Sequence, residues 1–217
     1  GDEISKFEKK INKKIGVKNC IALNSGTDAL TLALHLLGVR RGDEVITPPN
    51  SFIASTAVIT HLGAKPVFAD IDPLTFNLDP QHVESRVTSR TRAIIPVHLF
   101  GQCADMTRLG AIAEKHDLVL IEDAAQSIGA KFDGTPCGAI GSVGCFSFYP
   151  TKNLGGCGDA GMMTTDNEEL ATKLRRLTNH GMDPRYYHSM VGVNSRLDTF
   201  QAVALNAKLN HLQEYTA

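Results

Sequence analysis

The sequence carries almost no excess of charge: the formal net charge is −1 over 217 residues. That excludes the strong one-signed field that draws a protein to nucleic acid or to an anionic membrane. No stretch comes near the roughly 18 consecutive apolar residues of a membrane-spanning helix. The opening residues, Gly1-Asp2-Glu3-Ile4-Ser5, lack the basic-then-apolar order of a secretory signal. Cysteine is sparse and odd in number, five in all, at positions 20, 103, 137, 145 and 157. No two stand as C-x-x-C, so neither a disulfide framework nor a zinc site is expected, and a reducing, cytoplasmic setting is. Internal repeats and low-complexity segments are absent. So are both common nucleotide fingerprints, the G-x-G-x-x-G turn and the Walker lysine loop.

What is present is the composition of a globular chain, 42% hydrophobic and 21% charged, which argues against disorder. The length suits one sizeable α/β domain, or a domain plus a fragment of another. Short apolar runs at 20–23, 44–47, 66–69, 93–97, 118–121, 144–148 and 161–164 read as seven strands buried on both faces. Helical spacing marks 27–37, 51–62, 106–115, 168–177 and 198–212, and a charged amphipathic helix covers 1–18. Gly38 and Gly63 stand where C-caps are expected. Strands alternating with helices predict a mostly parallel seven-stranded sheet with helices on both faces. Ligands of such sheets bind beyond the carboxyl ends of the strands.

The residues just past three strands are polar and specific. After the first comes Asn24-Ser25-Gly26-Thr27-Asp28. Gly26 allows a tight turn, and the free N–H groups of the helix that follows suit a phosphate. A plain helix cap on Ser25 or Thr27 is the alternative. After 118–121 comes Glu122-Asp123-Ala124-Ala125-Gln126-Ser127. Asp123 is placed to pair with a protonated ring nitrogen, and Gln126 to reach a ring substituent. A helix cap or a metal ligand is the alternative for Asp123. After 144–148 comes Tyr149-Pro150-Thr151-Lys152, then the glycine-rich run 153–161. A lone lysine is usually solvated surface. One just past a buried strand, beside glycines that let backbone approach a ligand, is a candidate to form an imine. Ser147 offers a hydroxyl to a phosphate.

In order, S-G-T-D-A-L, E-D-A-A-Q-S and S-F-Y-P-T-K-N-L-G-G-C-G-D-A-G resemble the DegT/DnrJ/EryC1/StrS family of pyridoxal phosphate (PLP) aminotransferases of nucleotide-linked keto-sugars. Val191-Gly192-Val193-Asn194-Ser195-Arg196-Leu197-Asp198 resembles a further motif, and the likeness covers nearly the whole chain. The resemblance implies an aspartate aminotransferase-like fold (PLP fold type I), with residues 1–217 as its large PLP-binding domain. It implies that Lys152 is the Schiff-base lysine and moves the substrate proton, and that Asp123 pairs with the pyridine nitrogen. Gln126 is implied near the ring hydroxyl, and Gly26, Thr27 and Ser147 at the phosphate. Phe52, in Pro49-Asn50-Ser51-Phe52, matches the aromatic that stacks on the ring. Asn194 matches a residue reaching the phosphate of a neighbouring subunit, so a homodimer is implied; a turn asparagine is its plainer reading. Glutamate is the implied amine donor and a nucleotide-linked keto-hexose the acceptor. Lysine, rather than histidine, at position 152 favours transamination over sugar dehydration.

Other residues have two readings. His98 follows a strand and is either a crevice residue or a structural histidine. His180, Arg185 and His188 share a loop that could face a sugar nucleotide. Asp70 and Asp72 suggest a metal pair but read better as a strand-end turn into Pro73, and no metal is expected. Relative to the family, a preceding N-terminal segment and a smaller C-terminal domain are expected beyond this chain. Two further readings therefore stand beside the sugar aminotransferase. One is a truncated or non-catalytic PLP-binding homologue. The other is another fold-type-I PLP enzyme acting on an amino acid.

Overall fold

The first helix, α1 (Asp2–Ile15), shows how local sequence sets the elements. Phe7, Ile11 and Ile15 fall on one buried face, Asp2 and Glu3 lie in the first turn and Lys13 and Lys14 in the last, all favourable to the helix dipole. The helix stops at Gly16, which takes the left-handed conformation with φ 82°. The computed structural model describes residues 1–216. The remaining elements are β1 (Asn19–Leu23), α2 (Gly26–Leu36), β2 (Glu44–Thr47), α3 (Ala54–His61), β3 (Lys65–Phe68), α4 (Pro80–Arg86), β4 (Thr91–Ile94), α5 (Met106–His116) and β5 (Val119–Asp123). They continue with β6 (Lys131–Phe132), β7 (Thr135–Pro136), β8 (Val143–Ser147), β9 (Gly161–Thr165), α6 (Glu168–Leu177), α7 (Thr199–Lys208) and α8 (Leu212–Thr216).

The expected seven strands form one sheet in the order β1-β9-β8-β5-β4-β2-β3. All neighbours are parallel except at β9, which runs antiparallel to both β1 and β8. Alternate side chains along a strand point to opposite faces, and the core divides accordingly. Ile21, Leu23, Val45, Ile121 and Met163 pack with Leu30 and Leu34 of α2, Val58 of α3 and Leu174 of α6. On the other face Cys20, Ala22, Phe146 and Met162 pack with Phe7 and Ile11 of α1 and Leu205 of α7. There, too, Ile46, Ile94 and Leu120 meet Val83 of α4 and Leu109 of α5. Among the described residues no helix is long and apolar enough to cross a membrane.

At the amino ends of three strands one buried carboxylate ties the sheet. Glu44, at the start of β2, accepts from Thr88 Oγ1 at 2.6 Å, Arg90 Nη2 at 2.8 Å and Lys65 Nζ at 3.3 Å. The Thr88 and Arg90 hydrogen bonds, against an opposing push from burial, hold its carboxyl down to about 2.

Several expectations need correction. The segment 93–97 leaves regular pairing after Ile94, though Val97 still bridges Asp123. The segment 51–62 becomes helical only at Ala54, and 198–212 is interrupted by a 3-10 turn at Leu209–His211. The short α4 and the β6–β7 hairpin were not expected. Nor was a disulfide: Cys103 and Cys137 are bonded to each other. They lie 34 residues apart, and only the folded path of the loop after β4 and the β6–β7 hairpin brings them together.

Candidate active site

The strand ends converge on a cavity of about 380 Å³. Ser25, Gly26 and Thr27 enter it from the start of α2, Asp123 and Gln126 from the end of β5, Ser147 from the end of β8 and Lys152 from the segment beyond it. Because β9 is reversed, its amino end reaches the same crevice and contributes Asp159 and Ala160. Phe52 lines the mouth and is 74% exposed.

The α2 end is shaped by close approach. Ser25 Oγ caps the helix, accepting from the Asp28 N–H at 3.1 Å. The first N–H groups of a helix have no partner within it. A Cβ on Gly26 would stand 2.8 Å from Ser147 Cβ and 3.3 Å from the Phe146 carbonyl oxygen. Only glycine lets the helix start sit on the end of β8, and this brings Ser147 beside those N–H groups.

Asp123 is 6% exposed. Its Oδ2 accepts from Ser55 Oγ at 2.8 Å and its Oδ1 from the Ala125 N–H at 3.2 Å. Burial pushes its carboxyl above the ordinary range, against the pull of those hydrogen bonds and of the positive charge of Lys152. It has no ion-pair partner among the described residues. A buried carboxylate without an ion-pair partner is costly, and a cationic group brought against it would relieve that cost. Ser51 Oγ lies 3.2 Å from Ser55 Oγ and lines the cavity. Ser55 was missed in the sequence; its only signal was the spacing of four from Ser51, and Ser51 lies in the turn before α3 rather than on the helix.

Gln126 Oε1 accepts from the Phe100 N–H at 2.9 Å, which leaves the amide NH₂ as the free end. Lys152 is half-buried, and its backbone N–H donates to the Tyr149 carbonyl at 2.9 Å. The glycine-rich loop after it is gripped by α7. Gln201 Oε1 accepts from the Cys157 N–H at 2.7 Å, and Lys208 Nζ donates to the Gly155 carbonyl at 2.8 Å.

Seven of the eight expected site residues thus share one cavity. The eighth, Asn194, does not line it; it is exposed and bridges Asn179. His98 is a structural histidine, fully buried. Its Nδ1 accepts from the Ala104 N–H at 3.2 Å, so Nε2 carries the proton and donates to Glu122 Oε2 at 2.9 Å. Glu122 also accepts from the N–H groups of Gly138, Ile140 and Gly141. Burial pushes its carboxyl up, but the His98 contact and these N–H groups prevail and hold it low. His180, Arg185 and His188 lie outside the cavity lining, with His188 Nδ1 on the His180 carbonyl and Arg185 over Tyr186. Asp72 is the expected turn residue, its Oδ1 accepting from the Leu74 and Thr75 N–H groups.

The profile of the DegT/DnrJ/EryC1/StrS aminotransferase family matches residues 1–217. A Geobacillus stearothermophilus protein named pleiotropic regulatory protein is 51% identical over 216 residues, covering 100% of this chain and 58% of that protein. The UDP-2-acetamido-2-deoxy-3-oxo-D-glucuronate aminotransferase of Pseudomonas aeruginosa is 49% identical over 217 residues, 100% of this chain and 60% of its own length. Among solved structures, S. venezuelae DesV in complex with a ketimine intermediate superposes with a TM-score of 0.96 at 45% identity, over 99% of this chain and 58% of that one. The chain therefore spans about three-fifths of the length of these relatives. Sequence, fold and the arrangement of the cavity agree: this chain belongs to the DegT/DnrJ/EryC1/StrS aminotransferase family.

Proposed function

We propose that this chain is the cofactor-binding part of a PLP-dependent aminotransferase that moves the amine of glutamate to a keto-hexose of a nucleotide-linked sugar. The observation that carries this reading is the meeting of Lys152, Asp123, Gln126 and the α2 amino end in one cavity. The residues fit PLP. The buried Asp123, with no ion-pair partner among the described residues, matches its ring nitrogen, and the helix start with Ser147 matches its phosphate. When bound, PLP supplies an electron sink for the carbon that bears the amine.

The chain's own residues have distinct tasks. Lys152 Nζ anchors the cofactor and takes up and returns the proton of the amine-bearing carbon. Asp123 holds a proton on the ring nitrogen, the free NH₂ of Gln126 donates toward the ring hydroxyl, and Phe52 covers the ring face. Gly26, Thr27 and Ser147 hold the phosphate. The exposed Asn194 is read as reaching the site of a second copy, which makes the working unit a homodimer. The relatives' nucleotide-sugar chemistry supports the substrate class, and a cytoplasmic setting follows from that class.

The test is borohydride reduction of the PLP-loaded protein followed by peptide mapping, together with glutamate addition. The expected result is a cofactor adduct on the Lys152 peptide, absent in Lys152→Ala, and a visible absorbance band that bleaches with glutamate. An adduct elsewhere refutes the lysine assignment. A band that ignores glutamate refutes amine transfer and leaves cofactor binding alone.

A further inference from the structure

The Cys103–Cys137 bond lies outside the cavity, yet both its ends run into residues that shape it. From Cys103, the Asn77 amide gathers the loop after β4: its Nδ2 donates to the Gln102 and Cys103 carbonyls at 3.1 and 3.3 Å, and its Oδ1 accepts from the Leu99 N–H at 3.2 Å. The next N–H in that loop, of Phe100, is the one that orients Gln126. From Cys137, the next residue is Gly138, whose N–H donates to Glu122 at 2.7 Å, beside Asp123.

The two cysteines differ in exposure. Cys103 is half-exposed and lines an open groove with Asp105, Arg108 and Lys131, whereas Cys137 is 1% exposed. Cys20 and Cys145 are buried and unbonded, and burial raises both thiols far above the ordinary range, which keeps them inert. His98, Cys103 and Cys137 are close enough to share a metal ion. However, both ring nitrogens of His98 are already engaged, by Ala104 and by Glu122. A metal would have to strip a buried partner from one of them, so the sulfurs are left to each other.

We propose that Cys103 and Cys137 form a thiol–disulfide exchange site for small thiols of the glutathione or dithiol class, and that the oxidised pair holds the loop that orients Gln126. In reduction, a thiolate attacks the sulfur of Cys103, the more exposed of the two residues. The bond between the two cysteines breaks, and Cys137 leaves as a thiolate and takes a proton from water. A second reductant thiol attacks its partner sulfur in the mixed disulfide and releases Cys103. Two electrons pass to the protein, and the reductant leaves as its own disulfide. An oxidised small disulfide reverses the sequence.

The exchange itself is independent of the cofactor reading; the effect on Gln126 rests on it. The experiment equilibrates the full chain in buffers of oxidised and reduced glutathione, and of dithiothreitol, and maps free thiols by alkylation and mass spectrometry. The expected outcome is reversible loss and return of the thiols of Cys103 and Cys137 alone among the buried and half-buried cysteines. Free thiols at both positions in the oxidising buffer would overturn the proposal. So would a bond that resists dithiothreitol in the native protein, or stoichiometric zinc uptake by the reduced chain that blocks reoxidation. PLP titration of both states then tests the coupling. The reduced protein and Cys103→Ser are expected to bind about fivefold more weakly, at the low end of coupling between sites. Equal affinity in the two states overturns the coupling, while no PLP binding in either state refutes the cofactor reading and leaves the thiol result standing.

Discussion

Asp123 depends on a hydroxyl 68 positions away in the chain, that of Ser55. Ser55→Ala removes a hydrogen bond to a charged acceptor, a loss of about 1.5–3 kcal/mol. The Asp123 carboxyl, already raised by burial, rises further without it. PLP affinity is expected to fall about tenfold, and the deficit to widen as pH is lowered, because protonated Asp123 cannot hold a charged ring nitrogen. Spectrophotometric PLP titration at several pH values checks this, with Ser55→Thr as the conservative rescue. At this scale Asp123, Gln126 and Lys152 were legible because each stands just after a buried strand, where an α/β sheet places its ligand. Ser55 and the partners of Glu122 were not, since the helix, the strand and the Gly138–Gly141 segment meet only in the fold.

Elements with strong periodicity could be read directly. The seven strands and α1, α5 and α6 fall within a few residues of their expected positions. The misses were short: α4 has seven residues and the β6–β7 hairpin two per strand, too few to show a period. The reversal of β9 left no mark in its sequence, because a strand buried on both faces reads the same in either direction. The amino ends of β2, β3 and β4 carry a pH dependence of their own. Glu44 titrates near 2 in the fold against 4.5 ordinarily. A carboxyl lowered by folding contributes stability that is complete above its unfolded value and is lost as pH falls toward the folded one. Wild-type stability is therefore expected to decline from about pH 4.5 to about pH 2. Glu44→Gln should be less stable at neutral pH and flatter across that window. Chemical denaturation as a function of pH reads both, and parallel curves for the two proteins would remove Glu44 from the account.

At the scale of the whole molecule, the cavity is built by one chain but lacks one expected contributor. Asn194 was legible as a motif residue, and its outward position suits reach into a second copy. Sedimentation is expected to show a dimer, and Asn194→Ala to weaken PLP binding about tenfold by loss of one phosphate contact although it lies outside its own cavity. A monomer whose PLP affinity ignores the substitution would return Asn194 to its plainer reading as a turn residue. The grip of α7 on the glycine-rich loop has a mechanical meaning. Gln201 and Lys208 hold Cys157 and Gly155 by two hydrogen bonds, and Lys152 lies three residues before Gly155. A helix fastened in this way ties the loop to the frame of the sheet: the backbone between Gly155 and Cys157 cannot shift without breaking one of its two hydrogen bonds to α7, so the segment that follows Lys152 is held at a fixed place on the crevice.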